Sequence, residues 1–146
     1  MKSYMTSLSF PDLNVWHALA TTDHVHHSEA ISWWEQQSGA ICFTRPTQLG
    51  FLRLATTAVA MQGKPLTMAG AWRAYDWFFE DDKVRFFLEP PDVEVRFRHA
   101  TSGKTVSPKV WADAWLLAVA EAAGGVLVTF DKALAARGAH CLLGKR

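Results

Sequence analysis

Three aspartates in this sequence lie at positions where α/β proteins build reactive sites. The first predicted strand, at 7–10, leads to Asp12, and Asp131 follows the apolar, β-branched run 126–128. Asp113 lies in the first turn of a predicted helix. In open α/β sheets, sites form outside the carboxyl ends of the strands. We therefore expect the three carboxylates to meet at that edge of a sheet.

Three carboxylates that converge without a cation repel one another. At about 5 Å and an effective dielectric constant of about 20, each pair costs roughly 3 kcal/mol. Such a cluster either takes up a proton or binds a cation, and hard oxygen ligands favour Mg²⁺ or Mn²⁺ over zinc. An ion of this kind lowers the pKa of a water molecule and orients a phosphodiester. Taken singly, each aspartate also suits a plain helix cap, because the helix dipole favours a negative charge at the N-terminus.

The elements that must hold these aspartates alternate between strands and helices. Within 111–131, a helical apolar stripe is followed by Gly124 and Gly125, which are typical of a helix C-terminus, and then by a buried strand. The same alternation along the rest of the chain predicts an α/β fold. We expect residues 1–146 to form one domain, a three-layer α/β/α structure with a central, mainly parallel sheet of four to five strands.

Two helix predictions concern the segments between the first and third strands. Thr47 is expected to cap a helix that runs to about Val59. In the next helix, capped by Thr67, the spacing places Trp72, Tyr75 and Phe79 on one apolar face. The tryptophans of the chain are expected to lie mostly in the core or in an interface.

The composition is that of an ordinary globular protein, with a formal net charge of +1 over 146 residues. So small a net charge gives no global positive field for a polyanion, so contact with RNA would need a local patch. The densest basic stretch runs from Arg96 to Lys109. Cys42 and Cys141 lie in apolar contexts and are expected to be buried free thiols. Without an apolar run of ~18 residues or a signal-peptide core, we expect a cytoplasmic protein with no membrane contact.

Three blocks of the sequence resemble the PIN-domain ribonucleases, and look most like the VapC toxins of bacterial toxin–antitoxin pairs. The blocks are PDLNVWHAL from Pro11, TRPTQLGFLRLAT from Thr44 and SPKVWADAWLLAVAEAAGGVLVTFDKAL from Ser107. The resemblance implies an endoribonuclease that uses Mg²⁺ or Mn²⁺, in which water attacks an RNA phosphodiester. It also implies a structured substrate such as tRNA or ribosomal RNA, a VapB-like antitoxin and a homodimer.

Residue by residue, the resemblance carries over only part of the family's acidic quartet. The first, third and fourth acids correspond to Asp12, Asp113 and Asp131, which become the expected metal ligands and catalytic residues. The second acid, usually a glutamate, corresponds to Gln48, which offers an amide oxygen but no charge. We expect Gln48 to assist catalysis and metal affinity to be weaker than with four acids. Asn14 is expected either to hydrogen-bond a metal-binding carboxylate or to cap the helix.

Other functions stay open at this point. A PIN fold weakened by Gln48 would serve as an RNA- or protein-binding module. A metal phosphohydrolase acting on small phosphate esters would also use three aspartates, although no glycine-rich phosphate loop supports it. His24, His26 and His27 suggest a metal site, but they lack partners at a zinc-like spacing and are expected to be solvated loop residues.

Overall fold

The computed structural model describes residues 7–104 and 106–144, and at its centre is a parallel sheet of five strands. The strands are β1 (Leu8–Pro11), β2 (Ala40–Phe43), β3 (Val84–Phe86), β4 (Val126–Thr129) and β5 (His140–Cys141). They lie in the order β3-β2-β1-β4-β5, and each neighbouring pair is parallel. The prediction of a mainly parallel sheet of four to five strands is confirmed.

Within the described ranges, seven α-helices cover the sheet. They are α1 (Leu13–Ala20), α2 (His27–Glu35), α3 (Arg45–Ala55), α4 (Met68–Phe78), α5 (Val93–Ala100), α6 (Trp111–Ala123) and α7 (Lys132–Ala135). A 3₁₀ turn at Pro108–Val110 leads directly into α6.

Side chains of each strand point alternately to the two faces of the sheet, as strand geometry requires. In β2, Ile41 and Phe43 belong to a buried cluster with α1, α2, α3 and α4. Ala40 and Cys42 belong to a second cluster with α5, α6 and α7. One buried cluster on each face of the sheet gives the predicted three-layer α/β/α arrangement.

The carboxyl end of β1 lies at the point where the chain changes direction across the sheet. From β1 the chain continues outward to β2 and β3, and it then returns to form β4 on the other side of β1. Pro11 pairs with Val128, and the Asp12 amide donates to the Val128 carbonyl at 2.9 Å. Crossovers that leave in opposite directions open a crevice at such a position.

An aromatic cluster fixes α1 against the sheet. Trp16 is fully buried, and its ring stacks on that of Phe43 with centroids 3.6 Å apart. The edge of Phe78 from α4 meets the same indole at 5.0 Å. Because aromatic pairs add about 0.5–1.5 kcal/mol each beyond their buried area, this cluster rigidly orients the helix whose first turn follows Asp12.

The prediction for the face of α4 was wrong in part. Tyr75 is buried, but Trp72 and Phe79 are exposed, and the other buried side chains of this helix are Ala71 and Phe78. The inward face is therefore rotated relative to the predicted one, and it leaves large apolar side chains on the surface.

Helix α3 begins and ends earlier than predicted. Its N-cap is Thr44, whose amide donates to the Thr47 hydroxyl at 2.9 Å, one half of a capping box. The helix ends at Ala55, and Val59 lies beyond it with 91% of its surface exposed. Gln48 consequently lies one turn into the helix, on its buried side.

The two cysteines are free thiols, as predicted. Cys42 is buried in β2, which raises the pKa of its thiol to about 11 and leaves it unreactive at neutral pH. Cys141 is only half-buried, contrary to the prediction. None of the helices in 7–104 and 106–144 has the length and apolar character needed to cross a bilayer.

Candidate active site

Asp12 is the buried member of the three predicted aspartates. Only 8% of its surface is exposed, and it caps α1 by accepting the Val15 amide proton at 3.1 Å. Burial raises the pKa of its carboxyl from 3.8 to about 6. Hydrogen bonds from Thr129 and Val15 oppose that rise, and the neighbouring charge of Asp113 adds to it. The folded chain thus holds a carboxylate that is poorly solvated at neutral pH.

Asp113 links the other two aspartates electrostatically. It is half-buried in the first turn of α6, as predicted. Burial raises the pKa of its carboxyl, and the negative charge of Asp131 raises it further. Asp131 is exposed and caps α7 by accepting the Ala133 amide proton at 2.9 Å. The charge of Asp113 therefore raises the pKa of Asp12, and the charge of Asp131 raises the pKa of Asp113.

Thr129, at the end of β4, joins the two strand-end aspartates. Its hydroxyl donates to Asp12 Oδ2 at 2.6 Å and accepts the Asp131 amide proton at 3.0 Å. The residue is fully buried. Thr129 was not among the predicted site residues, although it is a polar residue that ends an apolar strand two positions before Asp131.

The donor chemistry of this edge suits a hard divalent cation. Among the described residues, none of the three aspartates forms an ion pair with a basic side chain. In the same ranges, no three acidic, histidine or cysteine side chains stand close enough together to enclose an ion. Mg²⁺ commonly keeps several waters and is bound through one or two carboxylates. The electrostatic coupling of Asp12 with Asp113, and of Asp113 with Asp131, makes each pair a candidate for such an ion, whereas the described residues form no closed three-aspartate cage.

Gln48 is buried at the same edge of the sheet, in the helix that follows β2. Its Oε1 atom accepts a hydrogen bond from Arg45 Nη1 at 2.6 Å. The hydroxyl of Tyr75 also faces it: burial raises the pKa of Tyr75, and a hydrogen bond with Gln48 partly lowers it. The amide oxygen expected to assist a metal is therefore occupied by an arginine.

Asn14 follows Asp12 in the first turn of α1. Its backbone amide helps to lower the pKa of Asp12, while its side chain is exposed. Within the described part of the chain, the Asn14 side chain makes no hydrogen bond to protein. Its predicted support of a carboxylate stays a prediction.

The histidines between α1 and α2 are more enclosed than expected. His24, His26 and His27 are each half-buried, and His26 lies 4.8 Å from the ring of Phe130, next to Asp131. Burial lowers the pKa of His24, and the neighbouring histidines lower it further. His24 and His26 pack against Phe130, and His27 Nδ1 lies 2.7 Å from the Ala18 carbonyl oxygen, so the prediction of solvated loop residues was wrong.

The basic stretch provides less free charge than its sequence suggests. Arg96 lies 3.7 Å from Asp92, and Arg98 lies 2.8 Å from Glu94, each pair one turn apart on the surface of α5. Exposed pairs of this kind contribute at most about 1 kcal/mol. They do, however, offset part of the positive charge that was considered for RNA contact.

The chain is similar in sequence to known proteins. The sequence pattern of the PIN domain matches residues 9–139, which is most of the chain. The chain belongs to the PIN domain family. The PIN domain proteins related to it include ribonuclease VapC41 of Mycobacterium tuberculosis, 41% identical over 128 residues, covering 84% of this chain and 88% of the relative. Ribonuclease VapC39 of the same organism is 32% identical over 126 residues, covering 85% and 88%.

A solved structure shows the same PIN fold. The crystal structure of Mycobacterium tuberculosis VapC20, a sarcin-ricin loop cleaving toxin, superposes with a TM-score of 0.66. The alignment covers 89% of this chain and 95% of VapC20, at 18% identity. The predicted membership among VapC-type PIN-domain proteins is thus confirmed by sequence, and the predicted fold by structure.

Proposed function

We propose that this chain is a divalent-metal-dependent endoribonuclease and the toxin of a toxin–antitoxin pair. The observation that carries the proposal is the grouping of Asp12, Asp113 and Asp131 at the carboxyl edge of the sheet. Two of these carboxyls have a raised pKa because each is partly desolvated and faces another acid. Relatives named as VapC ribonucleases support RNA as the substrate.

The aspartates and Thr129 have different roles in this proposal. Asp113, together with Asp12 or Asp131, supplies the oxygen ligands, and all three aspartates supply the negative charge that attracts Mg²⁺ or Mn²⁺. When bound, such an ion lowers the pKa of a water and stabilises charge that develops on a phosphodiester. Thr129 holds the Asp12 carboxylate in one orientation and fixes the start of the loop that carries Asp131. The product would carry a 5′-phosphate.

Substrate and partners follow from similarity and from the surface. VapC20 is a sarcin-ricin loop cleaving toxin, which supports a structured ribosomal RNA as the target, and tRNA is the alternative that the family resemblance implies. Leu49, Met68, Trp72 and Trp77 are large apolar side chains exposed on α3 and α4. Apolar patches of this kind mark protein interfaces, so we assign this surface to a homodimer or to a VapB-like antitoxin. Such a pair would act in the cytoplasm.

The proposal is tested by incubating the purified chain, free of antitoxin, with total bacterial RNA. Discrete cleavage is expected with Mg²⁺ or Mn²⁺, and none with the metal removed by a chelator. Intact RNA under every metal condition would remove the nuclease function, and faster turnover of a chromogenic phosphate ester than of RNA would favour a phosphohydrolase.

A second candidate, a PIN fold that binds RNA or protein without cutting, is favoured by one observation. Gln48 contributes no charge, and Arg45 occupies its oxygen at 2.6 Å. An uncharged amide hydrogen-bonded to a cation therefore stands where the family usually has its second acid. This arrangement weakens the pull on a divalent ion.

The Gln48→Glu variant separates the two candidates. We expect it to bind Mn²⁺ roughly tenfold more tightly, since an added charge at about 5 Å contributes attraction that Arg45 only partly offsets. Gln36→Glu is the matched control, because Gln36 is exposed at the end of α2, before β2 and so at the opposite edge of the sheet. Isothermal titration with Mn²⁺ and the RNA assay are compared. An inactive parent that gains cleavage through Gln48→Glu indicates a binding module, and an active parent indicates a nuclease.

Replacing Thr129 with valine keeps its shape but removes the hydroxyl. We expect stability to fall by about 1–3 kcal/mol, because a buried carboxylate loses its donor and the Asp131 amide loses its acceptor. RNA cleavage should slow by roughly tenfold or more, as it does when groups that orient metal ligands are lost. Urea denaturation and initial cleavage rates measure the two effects. Thr129→Ser keeps the hydroxyl, and an equal loss in that variant would contradict the assignment.

A further inference from the structure

A pocket of about 330 Å³ is lined by none of the three aspartates. Its walls are the first turn of α3, the segment that follows β3, and one side chain of α6. Its lining includes two charged and two aromatic side chains, Arg45, Glu89, Phe86 and Trp115. The volume is at the lower end of the range for small-ligand sites, about 300–1,000 Å³. The pocket is thus suited to a single flat ring system.

The pocket lies at the same edge of the sheet as the aspartates. Arg45 follows β2 and Glu89 follows β3, so both are at carboxyl ends of parallel strands, as Asp12 is. Neighbouring strands are about 4.8 Å apart, which places the pocket one to two strands, or roughly 5–10 Å, from the end of β1. Trp115 lies on the same helix as Asp113, two residues further on, so the two side chains project from different faces of α6. An RNA strand with a phosphate at the aspartates would bring a neighbouring base within reach.

The pocket combines aromatic faces with one cation and one anion. The Arg45 guanidinium lies over the Phe86 ring, 4.7 Å from its centroid. Arginine has five N–H donors, so the hydrogen bond to Gln48 leaves others available. On the opposite wall, Glu89 Oε1 accepts the Trp115 indole proton at 3.2 Å. The remaining lone pairs of that carboxylate are free to accept from a ligand.

The uncharged side chain of Gln48 determines the charge state of this pocket, because it is hydrogen-bonded to Arg45. Among the described residues, Arg45 forms no ion pair. A glutamate at position 48, 2.6 Å from the guanidinium, would neutralise it, whereas an amide orients it and leaves its charge in place. Gln48, where the family usually has a glutamate, therefore accounts for the positive charge that Arg45 keeps while it stacks on Phe86.

We propose that this pocket binds a guanine base of the RNA substrate, next to the phosphate that is cut. This deepens the proposed nuclease function and rests on it. Guanine presents O6 and N7 as acceptors, the pair that arginine bonds most often. Its N1–H and N2–H₂ donors match the Glu89 carboxylate, and aromatic side chains stack on bases. Adenine lacks the O6 acceptor, and cytosine and uracil lack the N7 edge, so none of them satisfies both charged groups.

The test first uses binding alone, with metal-free protein and no cleavage. The indole N–H signal of Trp115 is followed by ¹⁵N NMR and assigned with Trp115→Phe. We expect GMP to shift it at roughly tenfold lower concentration than AMP, CMP or UMP. Glu89→Gln keeps an acceptor for the indole but should abolish the preference for GMP. Glu80→Gln, in the exposed segment before β3 and so at the opposite edge, should retain it.

A second measurement uses RNA oligonucleotides that differ in the one base beside the cut. Guanine should be favoured by a lower KM, with kcat nearly constant, and the preference should be lost in Glu89→Gln. Equal shifts by the four mononucleotides, no shift by any of them, or a guanine preference that survives Glu89→Gln would each overturn the proposal. Selective GMP binding by a chain that cuts no RNA would instead retain the pocket and remove the nuclease function.

Discussion

The Asp113→Asn variant is expected to cleave RNA roughly a thousandfold more slowly than the parent chain. The substitution keeps the size of the side chain and its place in the first turn of α6. It removes the carboxylate that is electrostatically coupled to both other aspartates, since the charge of Asp113 raises the pKa of Asp12 and the charge of Asp131 raises the pKa of Asp113. A metal ion contributes several kcal/mol of transition-state stabilisation, and each 1.36 kcal/mol is worth tenfold in rate.

The rate is measured with a labelled RNA under saturating Mn²⁺, and folding is checked by circular dichroism. Asp82→Asn is the control, since it is the same chemical change at a residue in an exposed turn. This turn precedes β3 and so lies at the opposite edge of the sheet. The Asp82→Asn variant should cleave at the parental rate. Equal cleavage by Asp113→Asn and the parent would exclude Asp113 from the chemistry.

The positions of the three aspartates could be predicted because they depend on topology alone. In a parallel sheet, residues that follow different strands arrive at one edge regardless of the details of packing. Asp12 and Asp131 end the adjacent strands β1 and β4, and Asp113 begins the helix that leads into β4. Their mutual influence on pKa agrees with this placement. Their roles as metal ligands stay a prediction.

The contacts around the aspartates could not be predicted in the same way. Thr129 bonds Asp12 across 117 positions of the sequence, and hydroxyl residues at strand ends have many local uses. The hydrogen bond between Arg45 and Gln48 depends on where α3 begins. Thr44 and Thr47 are both good N-cap residues, and only the capping box between them selects Thr44. A shift of three residues in the cap changes which side chains face the site.

The buried face of α4 could not be predicted from the sequence for a different reason. Apolar residues are so frequent in this helix that two stripes are compatible with helical spacing. The stripe with Trp72 and Phe79 was predicted, but the smaller Ala71 and the aromatic Phe78 pack with Tyr75 against the sheet. Phe78 fills the space beside Trp16 and Phe43, which only the assembled core defines. The bulky residues left outside support the proposal of a partner on this surface.

A second large effect is expected from Asp12→Asn, and it concerns stability without metal. Burial raises the pKa of Asp12 from 3.8 to about 6. The folded state therefore holds a proton more tightly than the unfolded state does between those two values. The stability due to this proton is fully present below pH 3.8 and is lost as the pH rises through about 6. At neutral pH the ionised carboxylate costs the folded chain about 3 kcal/mol.

Asparagine avoids this cost while it keeps most of the local contacts. Its amide oxygen can still accept the Val15 amide proton and cap α1. The Thr129 hydroxyl loses its acceptor, which costs about 1 kcal/mol. We therefore expect Asp12→Asn to be more stable than the parent by about 1–2 kcal/mol at pH 7.5 without metal. At pH 4 it should be equal to the parent or slightly less stable, since Asp12 is then protonated.

Urea denaturation at the two pH values, in the presence of a chelator, measures this reversal. Adding Mn²⁺ at pH 7.5 should then stabilise the parent, because an ion that binds only the folded state raises its stability by mass action. Asp12→Asn should respond weakly, and Asp82→Asn should respond as the parent does. A less stable Asp12→Asn at pH 7.5 would mean that the hydrogen bonds of Asp12, rather than its buried charge, dominate. The expected pattern would instead indicate that the fold holds this carboxylate at a cost that a divalent cation relieves.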